Sequence, residues 1–323
     1  MTEWRPSAGL EALRRRAELL GAIRTFFAER GVLEVETPVL SVYGATDPHL
    51  DSFCTRYTGP GAAAGRAMYL QTSPEFAMKR LLAAGSGPIY QICKAFRNNE
   101  AGSYHNPEFT MLEWYRPGFD YRSLMVEVDD LLRGVLNTPP ATLSSYAALF
   151  AHHLQIEPHS ASIARLRDCA ADHGIRVSAS LGEDRDGWLT LLWSHLIELH
   201  LGGGGRPQIV CDYPVSQAML ARVRPGEPAV AERFEVYIDG VELANGFQEL
   251  QDSAEQRRRF EENCRLRRMG SMPEMSMDER LLAALAHGLP ACSGVAVGLD
   301  RLLMLKLGAG ELREVLAFPF DRA

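Results

Sequence analysis

The chain has 323 residues, 46% of them hydrophobic and 23% charged, with a formal net charge of −7. That is the composition of a globular protein with room for one large domain or two small ones; no apolar run approaches the ~18 residues that cross a bilayer, and an acidic chain lacks the excess of Lys and Arg that binding nucleic acid along its length requires. The six cysteines, Cys54, Cys93, Cys169, Cys211, Cys264 and Cys292, form no Cys-x-x-Cys pair, which indicates neither a zinc site nor a disulfide framework and fits a reduced cytosol.

Met1 to Arg16 carries charge but no apolar signal core, which disfavours secretion. Leu10 to Arg30 places Leu10, Leu13, Ala17, Leu20, Ile23 and Phe27 at helical spacing, and Gly31 ends the run. Val32 to Leu40 reads as a strand broken by Pro38. Tyr69 to Thr72 is short and apolar, and Pro74 suits a helix start ahead of Glu75 to Leu82. Ile89 to Phe96 and Phe109 to Tyr115 read as two strands around a polar loop, Arg97 to Pro107, with a helix over Tyr121 to Val135 after them. Residues 138–206 are helical in pattern and close on Gly202-Gly203-Gly204-Gly205. They read as a small helical insertion. The Gly run lacks the following Lys-Ser/Thr of a phosphate loop and reads as a flexible connector. Asp239-Gly240, between Arg233–Ile238 and Val241–Phe247, signals a two-residue hairpin turn. Asp252 and Asp278 stand where they cap two further helices. The basic stretch Arg257 to Arg268 reads, like Arg14 to Arg16, as a solvated helix face. Gly294 to Gly298 is a glycine-punctuated strand leading into a helix over Asp300 to Leu307. Hairpins with helices outside them imply an α+β fold, an antiparallel sheet with helices packed on it.

Three segments carry chemistry. The first runs from Phe96-Arg97-Asn98-Asn99-Glu100 to Tyr104-His105-Asn106-Pro107-Glu108-Phe109. An Arg at a strand end beside a polar loop can grip phosphate or carboxylate oxygens with its planar fork, though such residues also form surface ion pairs. The second is the hairpin with Glu235, Glu242, Asn245 and Glu249. Hard carboxylate oxygens suit Mg²⁺ shared with nucleotide phosphates; simple alternation of solvent-facing acids is the competing explanation. Glu242 and Glu249 differ in parity, so one strand face holds both only if the strand bends, near Ala244-Asn245-Gly246. The third is Gly294-Val295-Ala296-Val297-Gly298-Leu299-Asp300-Arg301. Small residues permit close approach of a flat ligand. Arg301 near a helix start opposes the helix dipole, as a polyanion site would require, while Asp300 could serve simply as a cap.

These segments occur in the order and spacing of motifs 1, 2 and 3 of class II aminoacyl-tRNA synthetases, which the chain resembles throughout except at about 138–206. The first helix plus Gly31-Val32-Leu33-Glu34-Val35-Glu36-Thr37-Pro38 resembles motif 1, the dimer-interface element; Phe96-Arg97 through Phe109-Thr110-Met111-Leu112-Glu113-Trp114-Tyr115 resembles motif 2; Gly294 to Arg301 resembles motif 3. Thr72-Ser73-Pro74-Glu75 and Glu242 to Leu250 are similar to the lysyl subgroup. Motif 1 begins almost at the first residue, ahead of which no anticodon-binding barrel fits. That arrangement is similar to the freestanding paralogues of the subgroup, the elongation factor P–lysine ligases, as are Trp4-Arg5-Pro6 and Ala296 in place of the usual Gly.

The resemblance implies ATP and Mg²⁺ as cofactors, with Arg97 on the α-phosphate and substrate carboxylate and Arg301 on the γ-phosphate. It implies Glu235 and Glu242 as the metal ligands. Asn98, Asn99, His105, Asn106 and Phe109 would surround the nucleotide, Phe109 stacking on adenine, with Glu242, Leu243 and Gly298 completing the ATP site. Ser73, Pro74 and Glu75 would lie against the amino acid, Glu75 on its amino group. Glu249 and Tyr115 would meet a distal ammonium, with Glu113, Asn245 and Phe247 completing that pocket. Asn99 stands where the family pattern has Glu, and Glu100 follows it. The implied reaction is activation of (R)-β-lysine or lysine and transfer to a lysine of translation elongation factor P, by a cytoplasmic homodimer joined through motif 1, without a membrane and with tRNA unlikely as acceptor. A tRNA-charging enzyme of the same chemistry and a non-catalytic regulatory paralogue are the alternatives.

Overall fold

A computed structural model describes residues 4–62, 64–176 and 181–323. Met1 to Glu3 of the charged leader, and 177–180 of the helical stretch, lie outside the described residues. The chain forms two compact units, one ending at Phe119 and resumed by Gln251–Ala323, the other comprising Asp120–Leu250.

The first unit opens with α1 (Leu10–Glu29), which Gly31 closes at φ 63°. Its buried stripe is Ala12, Leu19, Ile23 and Phe27. Phe27 sets the rotation of the helix: its ring stacks on Tyr90 at 4.4 Å and meets Trp114 edge-on at 5.3 Å. The expected stripe is corrected accordingly, because that rotation leaves Leu10 68% exposed and Ala17 exposed as well. The strand expected over Val32 to Leu40 shrinks to β1 (Leu33–Glu34) and β2 (Leu40–Ser41), since Pro38 offers no N–H to a ladder. Strands β3 (Cys54–Tyr57) and β4 (Arg66–Leu70) join β2 in a small antiparallel sheet ordered β2-β4-β3. After α2 (Glu75–Ala83) come β5 (Ile89–Phe96) and β6 (Glu108–Pro117), paired antiparallel from Ile89–Tyr115 to Phe96–Glu108.

The second unit starts at α3 (Tyr121–Leu136), whose first turn is capped by the Asp120 carboxylate accepting from Ser123 N at 2.7 Å. The stretch expected to be helical includes a strand, β7 (Thr142–Ser145). Then follow α4 (Tyr146–Leu154), α5 (Ile163–Asp172) and α6 (Arg185–Leu192). Next come β8 (Gln208–Pro214), β9 (Val223–Arg224), β10 (Val230–Ile238) and β11 (Val241–Gln248). The strands lie in the order β11-β10-β8-β7, with β9 on β10 and β7 parallel to β8. Tyr146, Phe150, Leu166, Leu189, Trp193 and Ile197 of the helical stretch form one core with Val210, Tyr213 and Tyr237 of the sheet. The hairpin turn is as expected: Asp239 (φ 49°) and Gly240 (φ 74°) both take the left-handed backbone that a two-residue primed turn demands.

The Gly202–Gly205 run is no flexible connector. Gly202 O accepts from Asp239 N at 2.9 Å, Leu201 O from Gly240 N at 2.8 Å, and Asp239 Oδ1 from Gly205 N at 3.1 Å. The run is thus tied to the hairpin tip, and a Cβ at Gly202 would stand 2.4 Å from Tyr237 O.

The chain returns to the first unit through α7 (Ser253–Met269), α8 (Glu279–Gly288), β12 (Cys292–Gly298) and α9 (Leu299–Leu307). Asp252 and Asp278 cap α7 and α8 as expected. The first unit's main strands are ordered β1-β5-β6-β12, antiparallel but for β1 on β5. Within the basic stretch of α7, Arg267 departs from a solvated face. It is buried, donates to Pro273 O, Asp47 O and Leu50 O, and pairs with Asp51 at 3.7 Å. Among the described residues no helix is long and apolar enough to cross a membrane.

Gly202→Ala combines a positive φ of 69° with a backbone clash, and is expected to destabilise the protein by about 2 kcal/mol or more. Gly203→Ala, with open space around its Cβ, should leave the urea midpoint near wild type.

Candidate active site

In the first unit, β6 lies between β5 and β12, and residues opposite one another share a face. Tyr115 opposes Ile89 and Gly294, Glu113 opposes Gln91 and Ala296, and Met111 opposes Cys93 and Gly298. Phe109, Met111, Glu113 and Tyr115 therefore share one face with a row of small residues on β12. Glu113 and Tyr115 are buried, and Tyr115 Oη donates to Glu113 Oε1 at 2.5 Å. Among the described residues, a Cβ on Gly298 would meet only Arg301 Cδ within 4 Å, at 3.9 Å. Burial and the nearby Glu113 push the Cys93 thiol up to about 12, so it is not a thiolate at neutral pH.

The polar loop between β5 and β6 is held at several points. Arg97 N donates to Pro107 O at 2.9 Å, and the guanidinium lies 5.1 Å over the Phe109 ring, the geometry of a cation–π contact. Arg97 Nε is buried and has no hydrogen-bond partner among the described residues. Glu100 swings towards Arg97, at 3.7 Å. Asn99 has φ 68°, a left-handed backbone that Asn tolerates better than Glu. Its amide and that of Asn98 both donate to Asp51 Oδ2, at 3.1 and 3.2 Å. Since Arg267 pairs with the same Asp51, a buried guanidinium on α7 anchors the loop. Asn106 Nδ2 donates to Glu108 O at 2.6 Å and its Oδ1 accepts from Phe320 N at 2.9 Å.

Gly298, not Asp300, occupies the cap position of α9. Asp300 is instead buried and accepts from Thr110 N at 2.8 Å and from Arg16 of α1. Arg301, the next residue, donates from Nε to Tyr104 O at 3.0 Å and from Nη2 to His105 Nε2 at 2.7 Å. A guanidinium only donates, so this His105 nitrogen is the acceptor. Loss of water around the ring, together with the Arg301 charge, holds His105 below its ordinary 6.5.

Glu75 begins α2, with Pro74 at its cap position and Ser73 just ahead of it. Glu75 N donates to Ser73 Oγ at 3.4 Å, and Glu75 Oε1 pairs with the buried Lys79 Nζ at 2.6 Å.

In the second unit, the β10–β11 register explains how both parities reach one face. Ile238 pairs with Val241 and Tyr237 with Glu242, but Val236 then pairs with Ala244. Leu243 is the extra residue of a β-bulge, which re-aims the strand beyond it. The expected bend therefore falls one residue earlier than Ala244-Asn245-Gly246. Because of it, Glu242, Asn245 and Phe247 share a face with Tyr237, Glu235 and Arg233, their respective partners. Glu242, Asn245 and Phe247 are half-buried, whereas Leu243 and Glu249 are buried. Glu235 Oε2 accepts from Tyr213 Oη at 2.7 Å and from Tyr237 Oη, and its Oε1 accepts from Arg233. Among the described residues no group of three or more His, Cys, Asp and Glu side chains is set for a metal ion.

The sequence reasoning missed Arg233, Tyr213, Tyr237, Lys79 and Asp300. For three of them the signal was present: Arg233 and Tyr237 recur with Glu235 at period two within an apolar strand, and Lys79 stands at i+4 from Glu75. Tyr213 carries no such signal. It reaches Glu235 because Asp212, at φ 61°, sits where two β10 residues oppose one on β8.

The family model of tRNA synthetases class II (D, K and N) matches residues 2–322. Three bacterial proteins named elongation factor P–(R)-β-lysine ligase are similar to the chain over nearly their whole lengths. That of Edwardsiella ictaluri is 54% identical over 323 residues, 100% of this chain and 99% of the relative. That of Pectobacterium carotovorum is 52% identical, again over 100% and 99%, and that of Salmonella paratyphi B is 53% identical over 99% and 98%. With the family match running from one end of the sequence to the other, the chain belongs to the class II tRNA synthetases (D, K and N).

Proposed function

We propose that this chain uses ATP to convert (R)-β-lysine, or lysine, to an aminoacyl-adenylate and transfers the aminoacyl group to the side-chain amine of a lysine on translation elongation factor P. The observation that carries the reading is the identity of 52–54% over whole lengths to relatives bearing that name. The buried carboxylates Glu113 and Glu249 support a substrate with an extra positive charge, because a buried ammonium requires a paired anion.

The substrate carboxylate attacks the α-phosphorus of ATP in line, pyrophosphate leaves, and the acceptor amine then displaces AMP from the mixed anhydride. Both first reactants are anionic, so positioning and charge neutralisation dominate. Arg97 serves the α-phosphate and the substrate carboxylate, and Arg301 the γ-phosphate. Phe109, whose ring already faces a cation, stacks on adenine. Asn98, Asn99, His105, Asn106, Leu243 and Gly298 line the nucleotide, and Ser73, Pro74, Glu75, Tyr115, Asn245 and Phe247 the amino acid. For Mg²⁺ the donor set fits. A carboxylate offers about four lone-pair directions, and the three donors found on Glu235 leave one at Oε1. Half-buried Glu242 shares its face, and Mg²⁺ commonly takes one or two carboxylates beside phosphate oxygens. When bound, the ion neutralises phosphate charge. Exposed Leu10 (68%) and Leu33 (58%) support a homodimer through α1 and β1, and six cysteines without a Cys-x-x-Cys pair support a cytoplasmic setting.

Incubation with ATP and labelled (R)-β-lysine or lysine, in the presence of elongation factor P or bulk tRNA, tests the acceptor. Label is expected on the protein; label on tRNA alone would overturn the reading in favour of tRNA charging. Arg301→Ala should lower ATP–pyrophosphate exchange by roughly 100-fold or more, and exchange at the wild-type rate would remove the γ-phosphate role. Glu249→Gln should raise KM for the lysine-like substrate far more than it weakens ATP binding by calorimetry; equal losses would point to misfolding.

An NMR titration of His105 checks the loop. Its folded pKa is lowered, so the ring is neutral above 6.5. The His105–Arg301 contact stabilises fully there and is lost as pH falls through the lowered value. Added ATP should raise the His105 pKa, because phosphate charge offsets Arg301; an unchanged value would separate this loop from the nucleotide.

A further inference from the structure

The second unit contains a buried polar chain that ends on Glu235 and begins in the helical stretch to which the family motifs assign nothing. After Leu192, α6 widens into a π-helical turn, Trp193–Ile197, a form that is rare and gathers at functional sites. Trp193 is 7% exposed, and its ring stacks on Tyr146 at 4.7 Å and 14°. Its Nε1 donates to Tyr237 Oη at 3.2 Å. An indole N–H is a donor only, so the contact occupies a lone pair of the Tyr237 hydroxyl and turns its O–H towards Glu235 Oε2, where the hydrogen bond is found. Tyr213 donates to the same oxygen at 2.7 Å. Both phenols approach Oε2 with hydroxyl groups, the only hydrogens available to bond a carboxylate oxygen, so both are donors. On the other oxygen stands Arg233, whose guanidinium lies 4.6 Å over the Tyr213 ring and also reaches Asn245 Oδ1 at 3.3 Å and Gln217 O at 3.1 Å.

We infer that Trp193 and Tyr237 are positioning residues for Glu235: they occupy and orient Oε2 so that the remaining lone pair of Oε1 is presented to magnesium-bound nucleotide. The helical stretch then acts on the reaction through one indole N–H. This rests on the reading of Glu235 as a magnesium ligand. The cost of removing such an outer hydrogen bond to a ligand is about 10- to 100-fold in metal affinity or activity.

The test uses the full chain labelled with 5-fluorotryptophan, the Trp193 ¹⁹F resonance being the one missing from Trp193→Phe. Adding Mg²⁺ with ATP is expected to move that resonance in the wild type and not in Tyr237→Phe. Calorimetry of ATP binding across Mg²⁺ concentrations should show the half-saturating Mg²⁺ rising about 10-fold or more in Trp193→Phe and Tyr237→Phe. Both substitutions keep an aromatic ring and remove one donor. Trp188→Phe is the packing control: Trp188 is a buried indole of the same core that donates to Gly182 O at 3.2 Å, so its loss should lower Tm without changing Mg²⁺ dependence. Wild-type Mg²⁺ dependence in Trp193→Phe and Tyr237→Phe, with that dependence lost in Glu235→Gln, overturns this inference alone. Wild-type dependence in Glu235→Gln overturns the magnesium reading and this inference with it.

Discussion

The first unit depends on a carboxylate taken out of water. Asp300 is 2% exposed, and a buried charge survives only where donors meet it. Here Thr110 N on β6 and the Arg16 guanidinium on α1 do so, while Arg16 Nη1 also reaches Thr110 Oγ1 at 3.3 Å. One side chain thereby fixes the start of α9 against the strand that carries Phe109, Glu113 and Tyr115 and against the helix placed in motif 1. Arg301 leaves the backbone one residue later, so its reach towards Tyr104 and His105 starts from a position that Asp300 holds.

The loop after β5 repeats that logic with the signs reversed. Arg267, a buried cation, is met by three carbonyl oxygens and by Asp51, and Asp51 in turn takes the amides of Asn98 and Asn99. Glu235 in the second unit follows the same rule, with two phenols and a guanidinium as donors. In each case a buried charge with several partners sets the aim of the residues around it.

How much could be read from the sequence varied with how local the physics was. The Asp239-Gly240 turn and the Asp252 and Asp278 caps depend on φ preference and side-chain reach within a few residues, and they stand as expected. The strands about the Arg97 loop do so as well. The buried side of α1 was misjudged because adjacent leucines, Leu19 and Leu20, satisfy a helical period on either of two rotations, and only Phe27 against Tyr90 and Trp114 chooses between them. Arg267 looked solvated because its acceptors Asp47 O and Leu50 O are 220 and 217 residues away in sequence. The glycine run looked loose because its partners, Asp239 and Gly240, lie across a strand pair. The aim of Glu242 required a bulge that leaves no compositional mark on Leu243.

That bulge means that the face of a β11 side chain follows its partner on β10 and not its count along the chain. Losing one amino acid between Glu242 and Ala244 would turn the pairing with β10 into a regular ladder, with Glu242 still opposite Tyr237 and Asn245 still opposite Glu235, and would remove only the extra local twist. A frame-preserving codon deletion at Leu243 would thus keep the Glu, Asn and Phe of this strand on one surface, so homologous strands differing in length here could still present the same array.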